Sequence, residues 1–135
     1  MEECIFCKLD DFNKNSIIYK DDLCFVMIDK YPVEYGHLLV ISNKHYENML
    51  KTDDETMMHM YLIAKKFGIK QMEKLGAKGV NITTNIGKDA GQAIMHFHIH
   101  IIPRYEREKS IKYNYGHHSE IKPEHKSELI SILKE

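Results

Sequence analysis

Tryptophan is absent from the 135 residues, proline occurs three times and glycine seven. So few chain breakers exclude a Pro/Gly-rich linker, a collagen-like repeat or a low-complexity tract. Charge of one sign is lacking too. Nineteen Lys+Arg against twenty Asp+Glu give a formal net charge of −1, so no basic field marks a nucleic-acid or membrane-surface binder. Apolar runs such as Leu23–Ile28 and Leu38–Ile41 fall far short of a membrane span. Glu2, Glu3, Asp10 and Asp11 put acid where a secretory leader carries base. The expected compartment is the cytoplasm. The three cysteines are Cys4 and Cys7 in one Cys-x-x-Cys pair and an isolated Cys24, a poor disulfide framework that suits a metal pair instead. A chain of this length buries roughly two thirds of its surface on folding. One domain over 1–135 with a real core is expected.

Histidine is what the chain has in excess, with nine residues. The hydropathy pattern places short strands at Ile17–Lys20, Asp22–Asp29, His37–Ile41, Val80–Ile86 and His96–Ile102, the last ended by Pro103. One long helix is predicted over about 54–75, capped by Asp53 or Asp54 and closed by Gly76, with Met57, Tyr61, Ala64, Gly68, Met72 and Leu75 on its core face. Pro123 opens a terminal helix carrying Leu129, Ile130 and Leu133. The order predicts an α+β fold with an antiparallel sheet.

The decisive segment is His96-Phe97-His98-Ile99-His100-Ile101-Ile102. On a strand, side chains alternate, so the three histidines share one face and Phe97, Ile99 and Ile101 the other. Two chemistries fit a row of imidazoles: a transition-metal site, or a histidine nucleophile oriented by its neighbours. The preceding loop, Asn85 to Gln92, carries Gly87 and Gly91, whose backbone N–H groups suit close approach to an anion. At pH 7 an ordinary imidazole is mostly neutral and nucleophilic, which makes attack at phosphorus chemically reasonable.

This segment resembles the signature of the histidine triad (HIT) family of nucleotide hydrolases and transferases, His-φ-His-φ-His-φ-φ with φ apolar. The likeness extends over about residues 4–105, through Phe25–Asp29, Pro32, Gly36–Ile41, Asn85 and Gly91-Gln92, leaving 106–135 as a C-terminal extension. It implies a HIT-like fold with a five-stranded antiparallel sheet, one long helix and a C-terminal helix. It further implies that His98 attacks the α-phosphorus of an adenosine (purine) nucleotide, forming a nucleotidyl-histidine intermediate. His100 and Asn85 would bind the phosphate and Asp29 the ribose hydroxyls. His37 would stand in the network behind the site, with Phe6, Ile28, Gly91 and Gln92 among the substrate contacts. The implied substrates are nucleoside phosphoramidates or dinucleoside polyphosphates. A nucleotide-binding regulatory protein with incidental turnover is the alternative. One departure is Ala93, where phosphoramidase-like members carry a serine; it shifts weight toward polyphosphates.

The resemblance also extends to a bacterial subset with an N-terminal Cys-x-x-Cys. It implies a structural zinc held by Cys4, Cys7, His45 and His96, and a homodimer built by pairing sheet edges. A Cys₂His₂ set is closed and tetrahedral. Cys24 reads as packing, and His59, His117, His118 and His125 as surface residues. Arg104, Arg107, Lys109 and Lys112 read as a solvated edge within reach of a polyphosphate tail.

Overall fold

The computed structural model describes residues 4–107 and 118–135. Five strands, β1 (Ile17–Lys20), β2 (Cys24–Ile28), β3 (Leu38–Ser42), β4 (Gly79–Thr83) and β5 (His98–Arg104), form one sheet in the order β1-β2-β3-β5-β4. Every neighbouring pair is antiparallel. With the helices α1 (Asp11–Lys14), α2 (Asp54–Lys74) and α3 (Pro123–Leu133), this is the α+β fold expected from the sequence.

Alternation gives the sheet two different faces. Val26, Ile28, Leu38, Val40, Ile99 and Ile101 join Met60, Ile63, Ala64 and Phe67 of α2 and Leu129 and Leu133 of α3 in the main core. Phe25, Met27, Leu39 and Ile41 form a second, smaller cluster with Phe6 on the other face. β2 and β3 are buried at every position, which is why their sequences lack a polar alternation. The terminal helix belongs to this core.

α2 begins where Asp53 accepts a hydrogen bond from the Thr56 N–H at 3.0 Å, as its capping role requires. Its buried face largely matches the expected one, with Ala64 and Gly68 buried and Met57, Tyr61 and Leu75 packed against the core. Met60, Ile63, Ala64, Phe67, Gly68 and Gln71 are buried, whereas Met72 is 44% exposed. Gln71 Nε2 donates to the carbonyls of Gly36 and Ile101, both at 3.0 Å, tying the helix to the sheet just before His37. Gly36 itself has φ +95°, and a Cβ there would lie 2.5 Å from Leu75 Cδ1. Only glycine fits.

Two strand limits also shift. β4 ends at Thr83, and β5 runs from His98 through Pro103 to Arg104, so Pro103 does not end the strand. The pairing of β3 with β5 stops at Leu38–Ile101, while that of β4 continues to Gly79–Arg104. Pro103 thus lies where β5 has one neighbour and its missing N–H costs no ladder bond.

The β1–β2 turn is held by Asp21. Its Oδ2 accepts from Tyr19 Oη at 2.6 Å and from His59 Nε2 at 2.6 Å, and its Oδ1 from the Leu23 and Cys24 N–H groups at 2.8 and 2.9 Å. His59 is therefore an anchor of α2 rather than a plain surface residue. Desolvation pushes the Asp21 carboxyl up, but those four donors outweigh it and hold it well below the usual carboxylate range. Asp21→Asn is expected to lower stability by about 2 kcal/mol in urea unfolding at neutral pH. A depressed folded pKa stabilises the fold above the unfolded carboxylate pKa and loses that contribution as pH falls through the folded one. The gap between wild type and variant should accordingly narrow below about pH 4.

Candidate active site and metal cluster

A cavity of about 390 Å³ opens on the sheet face turned away from α2, within the size range of small-molecule sites. Ile5, Phe6, Met27, Leu39 and Ile94 supply apolar walls, while Asp29, His37, Asn85, His98 and His100 bring polar groups to it. Residues expected from the sequence, from Phe6 to His100, thus converge. The register explains how: His98 and His100 of β5 pair with Ile41 and Leu39 of β3, and all four turn to the face away from α2.

Hydrogen bonds assign the imidazole tautomers. His98 Nδ1 lies 2.7 Å from the His96 carbonyl, which only accepts, so Nδ1 carries the proton and Nε2 keeps its lone pair. The Val33 N–H donates to His37 Nδ1 at 3.0 Å, so the proton of His37 is on Nε2. That nitrogen lies 2.9 Å from His100 Nδ1 and 3.4 Å from Asp29 Oδ2. His100 therefore accepts at Nδ1 and carries its proton on Nε2. Two adjacent imidazoles, with ring centroids 5.1 Å apart, are poised in opposite senses, one with a free lone pair and one with a free N–H.

Burial reinforces the neutral forms. Desolvation pulls His98 below the ordinary histidine value against the hydrogen bond from its ring to the His96 carbonyl. His37 and His100 fall to about 3, each by burial first, then His37 by the Arg104 guanidinium and His100 by competition with the neighbouring His37 and His98 rings for a proton. Desolvation raises Asp29, opposed by the hydrogen bond from the Tyr31 N–H and by His100 and His98.

The loop after β4 works differently from expectation. Gly87 and Gly91 have φ of 87° and 91°, so glycine serves the backbone turn. Their N–H groups are engaged inside the loop, Gly87 to Gln92 Oε1 at 2.8 Å and Gly91 to the Lys88 carbonyl at 3.0 Å. Gly91 lines the cavity. Gln92 is buried and organises the loop, donating to the Glu47 and Ile94 carbonyls at 2.7 and 3.0 Å. Ile28, expected among substrate contacts, has its side chain in the main core under α2; its neighbours Met27 and Asp29 line the cavity, because alternation turns them the other way. Asn13, Tyr31, Val33 and His118 also line it, and sequence reasoning missed them. His118 corrects a surface assignment. His125 packs edge-on to Tyr35, and His117, Lys109 and Lys112 lie outside the described residues. Arg104 is buried rather than on a solvated edge: its Nε donates to Asn81 Oδ1 at 2.8 Å and Nη1 lies 3.9 Å from Glu34.

His96 stands at one end of the histidine row, with Phe6 packed edge-on to both it and His98. It precedes β5, and its Nε2 donates to the Ser42 carbonyl at 2.7 Å, leaving the Nδ1 lone pair to face the cysteines. Cys4 Sγ and Cys7 Sγ lie 3.3 and 3.4 Å from that nitrogen, and His45 Nδ1 lies 3.1 Å from both Cys7 Sγ and His96 Nδ1. Zinc bonds to sulfur and nitrogen imply ligand–ligand edges of about 3.5 Å in a tetrahedron, and the carbonyl behind His96 is the outer partner such a ligand needs. Burial and the neighbouring Cys4 push the Cys7 thiol up, a cost that a bound cation would reverse. The donor set fits zinc. It also separates His96 from any metal site shared with His98 and His100. The group Asp29, His37 and His100 lies within ligand reach of one another, but both His37 nitrogens are already engaged.

The HIT domain pattern matches residues 11–107. The chain belongs to the HIT family. Among solved structures it is similar to a hypothetical histidine triad nucleotide-binding protein of Sulfolobus tokodaii, with a TM-score of 0.82 and 34% identity over 96% of this chain and 89% of that one. A zinc-bound histidine triad family protein of Mycobacterium smegmatis matches with a TM-score of 0.80 and 28% identity over 97% and 93%. Among sequences, an adenylylsulfatase of Arabidopsis thaliana is 34% identical over 107 residues, 78% of this chain by position coverage and 54% of that protein. Membership places this HIT protein in general among nucleotide-binding hydrolases and transferases.

Proposed function

We propose that this HIT protein acts at the α-phosphate of purine nucleotides, adenosine nucleotides first, through a covalent intermediate on His98. The observation that carries this reading is the opposed tautomer pair. The His98 Nε2 lone pair attacks phosphorus as the bond to the leaving group breaks with its electron pair. The His100 Nε2–H and the Asn85 carboxamide hold the phosphoryl oxygens. Water then attacks phosphorus, releasing the nucleotide and restoring His98. Asp29 accepts the ribose hydroxyls, and Ala93 lines the cavity without the hydroxyl that a serine would add, which favours dinucleoside polyphosphates over phosphoramidates. His98→Asn is expected to keep the fold and nucleotide binding, lose the adduct in mass spectrometry and lower turnover by about 10⁴. His100→Asn should still form some adduct. Near-normal turnover in His98→Asn would reject the covalent route, and slow wild-type turnover with tight nucleotide binding would favour a regulatory role.

The same reading includes a structural zinc on Cys4, Cys7, His45 and His96, supported by the tetrahedral spacing of their donor atoms and the carbonyl behind His96. A closed site of this kind supplies folding energy rather than reactivity. Protein from zinc-replete cells should contain about one zinc per chain. Cys7→Ser should release it and lower Tm by about 5 °C or more, while His98 still forms its adduct.

A homodimer completes the proposal. β4 is an edge of the sheet, and an unpaired edge invites a partner strand. On α2, Met58, Leu62, Ile69 and Met72 are 57%, 63%, 47% and 44% exposed, an apolar stripe at helical spacing that suits burial against a second copy. No helix among the described residues is long and apolar enough to cross a membrane, so that stripe has no lipid role as a span. Sedimentation at micromolar concentration should show twice the 15.9 kDa chain mass, and monomer alone would reject the dimer.

A further inference from the structure

One residue stands out of keeping with the apolar walls of the cavity. Asn13 lies among them, is 6% exposed, and its side-chain Oδ1 is buried without a hydrogen-bond partner. Its position is fixed on both sides. The Asn13 N–H donates to Asp10 Oδ1 at 2.8 Å, and its carbonyl accepts from the Ser16 N–H at 3.0 Å. Farther out, Lys126 Nζ donates to the Phe12 carbonyl at 3.0 Å and sits 3.7 Å above the Phe12 ring. The backbone cannot relax to find the orphan oxygen a partner. Buried amide oxygens are nearly always paired, and an apolar side chain would suit this wall better if nothing polar ever met it. The oxygen itself is closed off from the cavity, so an occupant meets it once the carboxamide turns about its terminal torsion.

The sheet order indicates which part of a nucleotide that is. α1 leads into β1, and β1 pairs with β2 through Ile17–Met27, so Asn13 stands on the β1–β2 side of the cavity. His98 and His100 are on β5, two strands beyond β2. Strand spacing makes that separation about 10 Å, on the order of the reach from the phosphorus of a nucleotide to the far edge of its base. With phosphate at His98 and ribose at Asp29, the base edge falls at Asn13.

We propose that Asn13 reads the base, and that it selects a purine with an exocyclic amine beside a ring-nitrogen acceptor, as in adenine. This rests on the nucleotide reading above. A carboxamide offers an acceptor next to a donor, and adenine presents the matching pair. The terminal torsion of asparagine is soft, so the carboxamide turns toward the base without moving the pinned backbone. Purine riboside 5′-monophosphate has the same ring nitrogens and no amine. It leaves Oδ1 orphaned.

The test is titration calorimetry of the full chain with AMP and with purine riboside 5′-monophosphate, in wild type, Asn13→Leu and Asn13→Ala. Wild type should bind AMP at least about tenfold more tightly than the analogue, since a site built for an N–H rejects the ligand lacking it. Both variants should bind the two nucleotides within about twofold of each other, and Asn13→Leu without ligand should melt no lower than wild type, because the orphan is gone. Equal wild-type affinities, or a variant that keeps the full preference, overturn the assignment and leave the nucleotide site standing. Loss of both nucleotides in both variants, with the fold intact by circular dichroism, makes Asn13 structural and also overturns it. A wild type that binds neither overturns the nucleotide reading as well.

Discussion

The 2.7 Å hydrogen bond from His98 Nδ1 to the His96 carbonyl is the constraint on which the rest of the site depends. It sets the tautomer of the central imidazole and holds its plane, and it works only because His96 is fixed. Three contacts fix it: its ring donates to the Ser42 carbonyl, its Nδ1 faces the cysteine pair, and the next N–H, of Phe97, donates to the Tyr46 carbonyl at 2.7 Å. The proposed zinc would brace the nucleophile through one peptide group without touching it. Phe6 adds a second brace, packing edge-on to His96 and His98 with centroids 5.8 and 5.2 Å away. That ring lies between Cys4 and Cys7 in sequence, so whatever clamps the cysteines also clamps a wall of the cavity.

Much of this was legible in the sequence because period-two alternation is a strict geometric rule. It placed His98 and His100 on one face and Ile99 and Ile101 on the other. The rule extends past the strand boundary to His96: Phe97 turns into the main core, and Phe6 packs edge-on to both His96 and His98. Residue 28 departs from expectation. Alternation within β2 sends Ile28 into the main core and leaves Met27 and Asp29 to the cavity, which the strand's uniformly apolar composition conceals.

Other features have no local signal. Asn13 sits in a four-residue helix and His118 shortly before α3; neither belongs to a periodic pattern, and only tertiary folding brings them to the cavity. On α2, helical spacing marked Ala64, Gly68, Met57, Tyr61 and Leu75, which are buried or packed on the core, and Met72 is the exception at 44% exposed. The glycines of the loop after β4 did signal an unusual backbone, but their need for positive φ does not tell where their N–H groups point. Gln92 takes one of them, and the loop is organised by a side chain instead of an anion.

The cavity is therefore assembled from parts held by unrelated forces. The wall carrying Phe6 is tied to the cysteine cluster, the turn before His37 to Gln71 and the glycine at 36, the loop near Asn85 to Gln92, and the wall at Asn13 to Asp10 and Lys126. Each anchor is local, so loss of one loosens one wall and leaves the others in place. The exception is the chain from the Val33 N–H through His37 to His100, where each proton position follows from the one before. A donor lost at Val33 would free His37 to place its proton on Nδ1, turn Nε2 into an acceptor and remove the N–H that sets the tautomer of His100. Binding surfaces here tolerate local change because they are held separately. The reactive pair does not, because its opposite polarities are set by two short hydrogen-bonded chains that start in the backbone.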